Sequence, residues 1–571
     1  MFLRIIDVKK ENRNYKYLKL VETVRTKGKV LQKTLLNFGN VDNWPKERLR
    51  EFIYRLNHFC DLELGPQEEE VDVYEALDFG ACFALDSIWK ELELSESLRN
   101  HTKRHTLDID IVPAVKAMVF NRLLEPSSKL QVSEWVKTQV IDGIYPEEIP
   151  LHHYYRSMDY LMAHKLSLEE DVFWKVNDIF NLDLSLVFYD LTSSYFEGSC
   201  CEIAKHGYSR DHRPDLRQIE IGLLVNREGI PIAHEVFEGN IKDGKTVPDS
   251  LDTLQKRFNV KRCIFVGDNA MATPDNIARL RDDNYEYIMS LKLLKDARAL
   301  ELLKAFSTED YMQFTRVKDN LFIKEISSPA DGFHKDERLI ICYNPERAQK
   351  TKHHRQQRIE ESAAYLQSVI DKPPQRGRPR KPEKVIPMVE RQLRKKQTNK
   401  YFTYGFTPKG VFEYQLNNDS VTRAEKTDGI WILVTNTQRL EPDEIALGYR
   451  TLSGVEHAFK DIKHFLRIRP IYHYKELRVR AHVFICVLAY MIEKFLEKKL
   501  KNSQMNLSPQ KALQKLKLLR MVTCSIMGNP VNKITKIVKE QKDIFNALSV
   551  NEIPKIPAFL NKNVPKNQNV V

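Results

Sequence analysis

The first stretch of the chain alternates apolar and polar residues, as in Tyr17-Leu18-Lys19-Leu20-Val21-Glu22-Thr23-Val24, turns at Thr26-Lys27-Gly28 and resumes at Val30-Leu31-Gln32. Residues two apart share one face of a strand, so the alternation predicts a small β-containing unit over residues 1–65. Across residues 74–182 the apolar positions recur at helical spacing instead, most clearly in 89–98 and 112–124. They predict a helical module, residues 66–183.

The period changes again at Leu186-Val187-Phe188-Tyr189, a short apolar run predicted to be a strand stopping at Asp190. Residues 219–225 and 230–237 predict two more strands, joined by the turn-forming Asn226-Arg227-Glu228-Gly229. A helix is expected over 246–258 and a fourth strand at Cys263-Ile264-Phe265-Val266, running into Gly267-Asp268. Pro274 opens a helix over 274–281, and 285–291 forms a fifth strand. This order, β-β-β-α-β-α-β, is the RNase H-like arrangement, with its first part at 184–295. Residues 296–440 interrupt it with strands at 338–342 and 430–434, a basic helical run at 345–370 and a Pro- and Arg-rich linker at 372–384. Helix returns at 444–466 and 476–500, giving the final helices of the core (441–500). A Lys-rich, partly helical tail follows (501–571), its end at 561–571 expected to be disordered. The expected fold class is multidomain α+β: an RNase H-like α/β core interrupted by a β-rich insertion, with helical parts at both ends.

Composition narrows the partners. A chain of 571 residues exceeds one typical domain, and its net charge of +12 with a pI near 9.0 favours a polyanion. A membrane is a poor candidate: the most apolar stretch, 483–492, is half the ~20 residues a span requires. Charges in the first ten residues preclude a signal-peptide core. The eight cysteines show no CxxC pair, which argues against structural zinc and a disulfide framework and for a reducing, cytoplasmic setting.

Asp190 and Asp268 each follow an apolar strand, where α/β sheets place reactive groups. Neighbouring strands would bring the two carboxylates together, and a cation such as Mg²⁺ would relieve their repulsion. The same placement also suits a turn residue or a helix N-cap. Asp215 and Asp243 compete but follow no apolar strand directly. In 449–463 an apolar stripe, Leu452, Val455, Phe459 and Ile462, has helical spacing; Tyr449, Glu456 and Lys463, seven apart, share the face beside it. A carboxylate between a phenol and an ammonium suits phosphate chemistry, as it also suits a solvated face.

Several stretches in order resemble bacterial insertion-sequence transposases of the DDE class, of the insertion-sequence-four type with a Tyr-Arg-Glu-Lys signature. They are Phe188-Tyr189-Asp190-Leu191-Thr192-Ser193, His206-Gly207-Tyr208-Ser209-Arg210-Asp211-His212-Arg213-Pro214-Asp215, Glu238-Gly239-Asn240, Val266-Gly267-Asp268-Asn269-Ala270-Met271 and Val455-Glu456-His457-Ala458-Phe459-Lys460. The resemblance implies catalytic, metal-binding roles for Asp190, Asp268 and Glu456, holding two Mg²⁺ (or Mn²⁺) ions. Tyr449 and Lys463 fall on the signature's Tyr and Lys, with Lys460 nearby, as phosphate- or DNA-binding residues. The signature's Arg falls on Leu452, a departure, and Arg450 would point away from that face.

Further DNA contacts are expected from Arg376-Gly377-Arg378-Pro379-Arg380, which resembles an AT-hook suited to a narrow minor groove and equally suits a solvated linker. His353, His354, Arg355, Arg358, Arg391, Arg394, Lys395 and Lys396 are candidates for phosphate neutralisation. Trp431 suits stacking on an unpaired base or packing in a core. The expected activity is cleavage and strand transfer at terminal inverted repeats by a nucleoid-associated homodimer on double-stranded DNA. The alternatives are a metal-dependent nuclease of the same fold and a transposase-derived DNA-binding protein.

Overall fold

The computed structural model describes residues 1–10, 13–26, 29–60, 72–102, 109–197, 201–258, 263–293, 296–304, 306, 310–318, 320–326, 333–371, 381–526, 529–550 and 552–553. Residues 376–380 of the expected AT-hook and the tail 561–571 lie outside them. The chain divides into two compact units, one of Met1–Glu75 with Thr523–Val531, the other of Ala76–Val522 with Asn532–Val571.

In the first unit, β1 (Phe2–Lys10), β2 (Arg13–Thr26) and β3 (Lys29–Asn40) form the expected antiparallel sheet. Helix α1 (Lys46–Phe59) follows; its Phe52 meets Phe38 and Trp44 edge-on, with ring centroids 5.6–5.9 Å apart. Residues 72–78, where the helical pattern was expected to begin, form strand β4 (Asp72–Asp78).

The second unit opens with helices α2 (Gly80–Glu91), α3 (Leu94–Thr102), α4 (Val112–Leu124), α5 (Lys129–Trp135), α6 (Leu151–Ala163) and α7 (Lys165–Phe180). Strands β5 (Leu186–Tyr195), β6 (Gln218–Asn226) and β7 (Pro231–Glu238) form an antiparallel meander. Helix α8 (Val247–Lys256) leads to β8 (Ile264–Gly267), and α9 (Pro274–Asp282) to β9 (Glu286–Ser290). Both β8 and β9 run parallel to β5, in the order β7-β6-β5-β8-β9. All are almost wholly buried, which explains why their apolar runs are continuous rather than alternating.

After α10 (Ala297–Lys304) the chain adds to the same sheet. Strands β10 (Thr315–Lys318), β11 (Leu321–Ile326) and β12 (Arg338–Tyr343) run antiparallel outward from a strand that comes later in the sequence. Helices α11 (Pro345–Asp371) and α12 (Pro382–Lys395) and the hairpin β13 (Phe402–Phe406)–β14 (Phe412–Leu416) enclose a separate small core around Leu366, Val389, Leu393 and Phe402. Helix α13 (Asn418–Glu425) precedes β15 (Ile430–Thr435), which fits between β12 and β9 and completes nine strands.

Helices α14 (Pro442–Arg450) and α15 (Ser453–Lys460) lie on this sheet, α15 against β5. The apolar α16 (Glu476–Asn502) runs through the helical module against α4 and α6, burying the 483–492 stretch. The tail holds α17 (Pro509–Lys517), β16 (Arg520–Ile526), β17 (Asn529–Ile534) and α18 (Lys539–Ala547). Among the described residues no helix is long and apolar enough to cross a membrane.

Candidate active site

Asp190 lies inside β5, not at its end. The strand runs on through Leu191-Thr192-Ser193-Ser194-Tyr195 because β6 pairs with it over that whole length, Tyr195 opposite Gln218. On the other side β8 pairs only as far as Val266, opposite Phe188. Two residues further in the same register stand Asp190 and Asp268, where β8 has ended. Backbone groups orient both carboxyls: Leu191 N–H donates to Asp190 Oδ1 at 2.7 Å, and Ala270 and Met271 N–H donate to Asp268 Oδ1 at 2.9 and 3.2 Å.

Burial, then the charge of Asp268, pushes the Asp190 carboxyl up to about 7, with a smaller push from Glu456. Burial and the Asp243 charge raise Asp268 as well. Arg210 opposes both shifts, but its guanidinium is already bonded to Glu220 at 2.6 Å and Asp243 at 2.8 Å. Its backbone N–H donates to Ser193 Oγ at 2.8 Å, and Gln218 Nε2 holds the other Glu220 oxygen at 3.0 Å. Two adjacent carboxylates whose nearest guanidinium is shared with two other acids make an all-oxygen donor pair that fits a hard divalent cation. Glu456 is exposed on α15, close enough for its charge to act on Asp190. Among the described residues no three His, Cys, Asp or Glu side chains stand close enough to hold one metal ion, so Glu456 does not close a triad with the aspartates here.

The single helix expected over 444–466 is broken. Leu452 N–H bonds to Tyr449 O and Gly454 N–H to Thr451 O, tight three-residue bonds around Thr451, Ser453 and Gly454, all weak helix formers. Beyond α15 the backbone widens into one π turn, Asp461–Phe465, with Leu466 N–H reaching Asp461 O. Tyr449, Glu456 and Lys463 therefore sit on three consecutive pieces, not on one helix face. Lys463 is nearly buried and bonded to Asp211 at 2.9 Å, which Arg469 also holds at 2.8 Å. Lys460 and Arg450 are exposed, and Leu452 is buried.

Tyr449 is hydrogen-bonded to Ser290, and burial lifts its hydroxyl to about 12. It borders a cavity of about 490 Å³ together with Asn269, Ser290, Lys292, Arg347 and Trp431. Trp431 is half-buried, and its Nε1–H finds no acceptor among the described residues. Of the other cations, Arg355 is buried in a two-pronged pair with Asp428 at 2.6 and 2.7 Å, which removes it from the phosphate candidates. Arg394 pairs with Glu390, and Lys396 with Glu361 at 2.9 Å. Exposed Asp215 pairs with Arg213 at 2.8 Å. Arg376, Arg378 and Arg380 lie outside the described residues. The sequence reading missed Arg210 and its partners Glu220 and Asp243 as a unit; the quoted motif contained Arg210, but nothing in its spacing linked it to strands β5 and β6.

Comparison with known proteins finds two family models. "Transposase DDE domain" matches residues 182–492, and "IS1634 family transposase, N-terminal domain" matches residues 3–69. No curated protein sequence matches the chain. Among solved structures, the piggyBac transposase synaptic complex with hairpin DNA aligns at 9% identity and TM-score 0.37, over 89% of this chain and 88% of that one. The Mos1 transposase paired-end complex with left transposon end aligns at 14% identity and TM-score 0.14, over 32% of this chain and 60% of that one. Because the first family model takes in more than half of the chain, both aspartates and Glu456, this protein belongs to the DDE transposase family.

Proposed function

We propose that this transposase binds the terminal inverted repeats of an insertion sequence, nicks DNA at their borders and joins the freed 3′-hydroxyl to target DNA. The observation that carries the reading is the parallel register that sets Asp190, within β5, beside Asp268, just past the end of β8, with Glu456 on the helix lying over β5. The order β7-β6-β5-β8-β9, three antiparallel strands followed by parallel ones, supports an RNase H-like core of which 296–440 is the insertion.

Asp190, Asp268 and Glu456 would hold two Mg²⁺ or Mn²⁺ ions, which when bound activate a water or 3′-hydroxyl and stabilise the leaving oxygen. Without metal, burial and Asp268 favour the protonated form of Asp190, and a bound cation would favour the ionised form needed to hold it. Arg210 bridges Glu220 and Asp243 beside the pair. Tyr449, Lys460 and Lys463 are assigned to phosphate contacts, Lys463 after exchange of its bond to Asp211. Trp431, on the wall of the cavity, offers a ring face to an unpaired base. Two element ends must be cut together, which calls for a homodimer on DNA; the signature reading stays with Tyr449, Glu456 and Lys463.

The test is Mg²⁺-dependent nicking of a plasmid carrying the gene with its natural flanks, comparing wild type with Glu456→Gln. Border cutting by wild type alone supports the reading, and joined products extend it to strand transfer. Cutting without joining points to a nuclease; binding without cutting by either protein points to a DNA-binding descendant.

A further inference from the structure

In the Tyr-Arg-Glu-Lys signature that the sequence resembles, an arginine precedes the glutamate by four residues; here that position holds Leu452, whose side chain is buried. The cation must come from elsewhere if the site is to grip a phosphate there. The cavity beside Tyr449 contains two cations, Lys292 and Arg347, and no carboxylate among its lining residues. It lies next to the carboxylate pair: Asn269 follows Asp268 directly, and the charges of Asp190, Asp268 and Arg347 all act on Tyr449. Arg347 is exposed, and among the described residues it has no ion-pair partner; its guanidinium lies 5.7 Å from the centre of the Trp431 ring.

Its position is built into the backbone. Arg347 is in the first turn of α11, which leaves β12 directly, and β12 pairs with β15 so that Cys342 faces Trp431. Asn344 Oδ1 accepts Arg347 N–H at 2.8 Å, and Asn344 N–H donates to Gly429 O at 2.9 Å. Gly429 has φ of 71°, and a Cβ there would collide with the Asn344 carbonyl and the Ala348 side chain. Glycine thus lets the start of α11 lie hard against the start of β15, setting the backbone of Arg347 beside Trp431.

We propose that Arg347, supplied by the insertion, is a DNA-phosphate-binding residue of this site, taking the role left open by Leu452. It acts on a backbone phosphate flanking the scissile bond while Trp431 and Tyr449 face the adjoining nucleotide. The inference rests on the proposed DNA-cutting site.

The experiment measures binding of a fluorescent duplex ending at the gene's natural border, in EDTA, across a salt series. Wild type, Arg347→Ala and Arg347→Lys are compared, with thermal melting as the folding control. One lost phosphate contact should flatten the slope of log K against log [salt] by about 0.9. It should also weaken binding about ten-fold at ~0.1 M salt. Arg347→Lys should keep the slope. An Arg347→Ala protein that binds with the wild-type slope and affinity overturns the inference, as does a loss accompanied by lowered melting that Lys fails to rescue. Failure of the broader reading looks different: wild type would bind this duplex in EDTA yet not nick it in Mg²⁺.

Discussion

Replacing Asp190 by Asn should make the metal-free protein more stable, although it removes a residue assigned to catalysis. The Asp190 carboxyl is raised from 3.8 to about 7 by burial and by Asp268. At about 1.36 kcal/mol per pH unit this corresponds to at most ~4 kcal/mol between the ionised and neutral forms. The side chain is half-buried, and solvent screening reduces the figure to ~2 kcal/mol. The sign follows from proton counting. Between pH about 4 and 7 the native state holds a proton that the unfolded chain has released, so wild-type stability falls as pH rises through that window and then levels off. Asn does not titrate, and its Oδ1 can still accept the Leu191 N–H. Its advantage should be absent near pH 4, about half developed at pH 5.5 and complete above pH 8. Thermal melting in EDTA at pH 5.5, 7 and 8.5 reads this as a gap growing to roughly 2–4 °C for a core of this size. A variant that melts below wild type at pH 8.5, or a gap that does not widen with pH, would refute the account of a carboxylate pair lacking its counter-charge.

Three further outcomes are expected. Glu456→Gln should cut Mg²⁺-dependent nicking by about 10²-fold or more, while melting stays within about 0.5 kcal/mol because the side chain is exposed; equal nicking would remove Glu456 from the site. Gly429→Ala should cost about 1–3 kcal/mol in a denaturant titration, given its positive φ and the contact with α11; a neutral result would mean α11 is not seated on β15. Arg355→Ala strands buried Asp428 and should cost about 3–5 kcal/mol; unchanged melting with weakened DNA binding would instead return Arg355 to the phosphate contacts.

The strands that carry the aspartates were legible because both faces of the sheet are covered. Leu186-Val187-Phe188-Tyr189 and Cys263-Ile264-Phe265-Val266 are continuous apolar runs, and turn chemistry at 226–229 marks the bend between β6 and β7. The end of β5 was not legible: Thr192, Ser193 and Ser194 look like a loop, yet β6 pairs with them and buries them. The helix break after Tyr449 was hidden by an apolar stripe that keeps its spacing through tight and π turns alike. Periodicity marks which residues are buried, not which hydrogen-bond ladder buries them. Asp211 and Arg347 escaped notice for a different reason. Their partners, Lys463 and Trp431, are 252 and 84 residues away in the chain, and no local pattern encodes such a meeting.

The place of β15 has a consequence for synthesis on the ribosome. Ser290 of β9 waits for Leu433, about 140 residues later, before its outer edge is paired. At about 5–20 residues per second this leaves the apolar strand Tyr287-Ile288-Met289 open for roughly 7–30 s in each nascent chain. An unpaired edge of that kind is a template for joining another chain's strand. Polysome-bound copies of this protein should therefore be client-like at that stage, and their yield should depend on how quickly residues 296–429 pass, before any transposition chemistry begins.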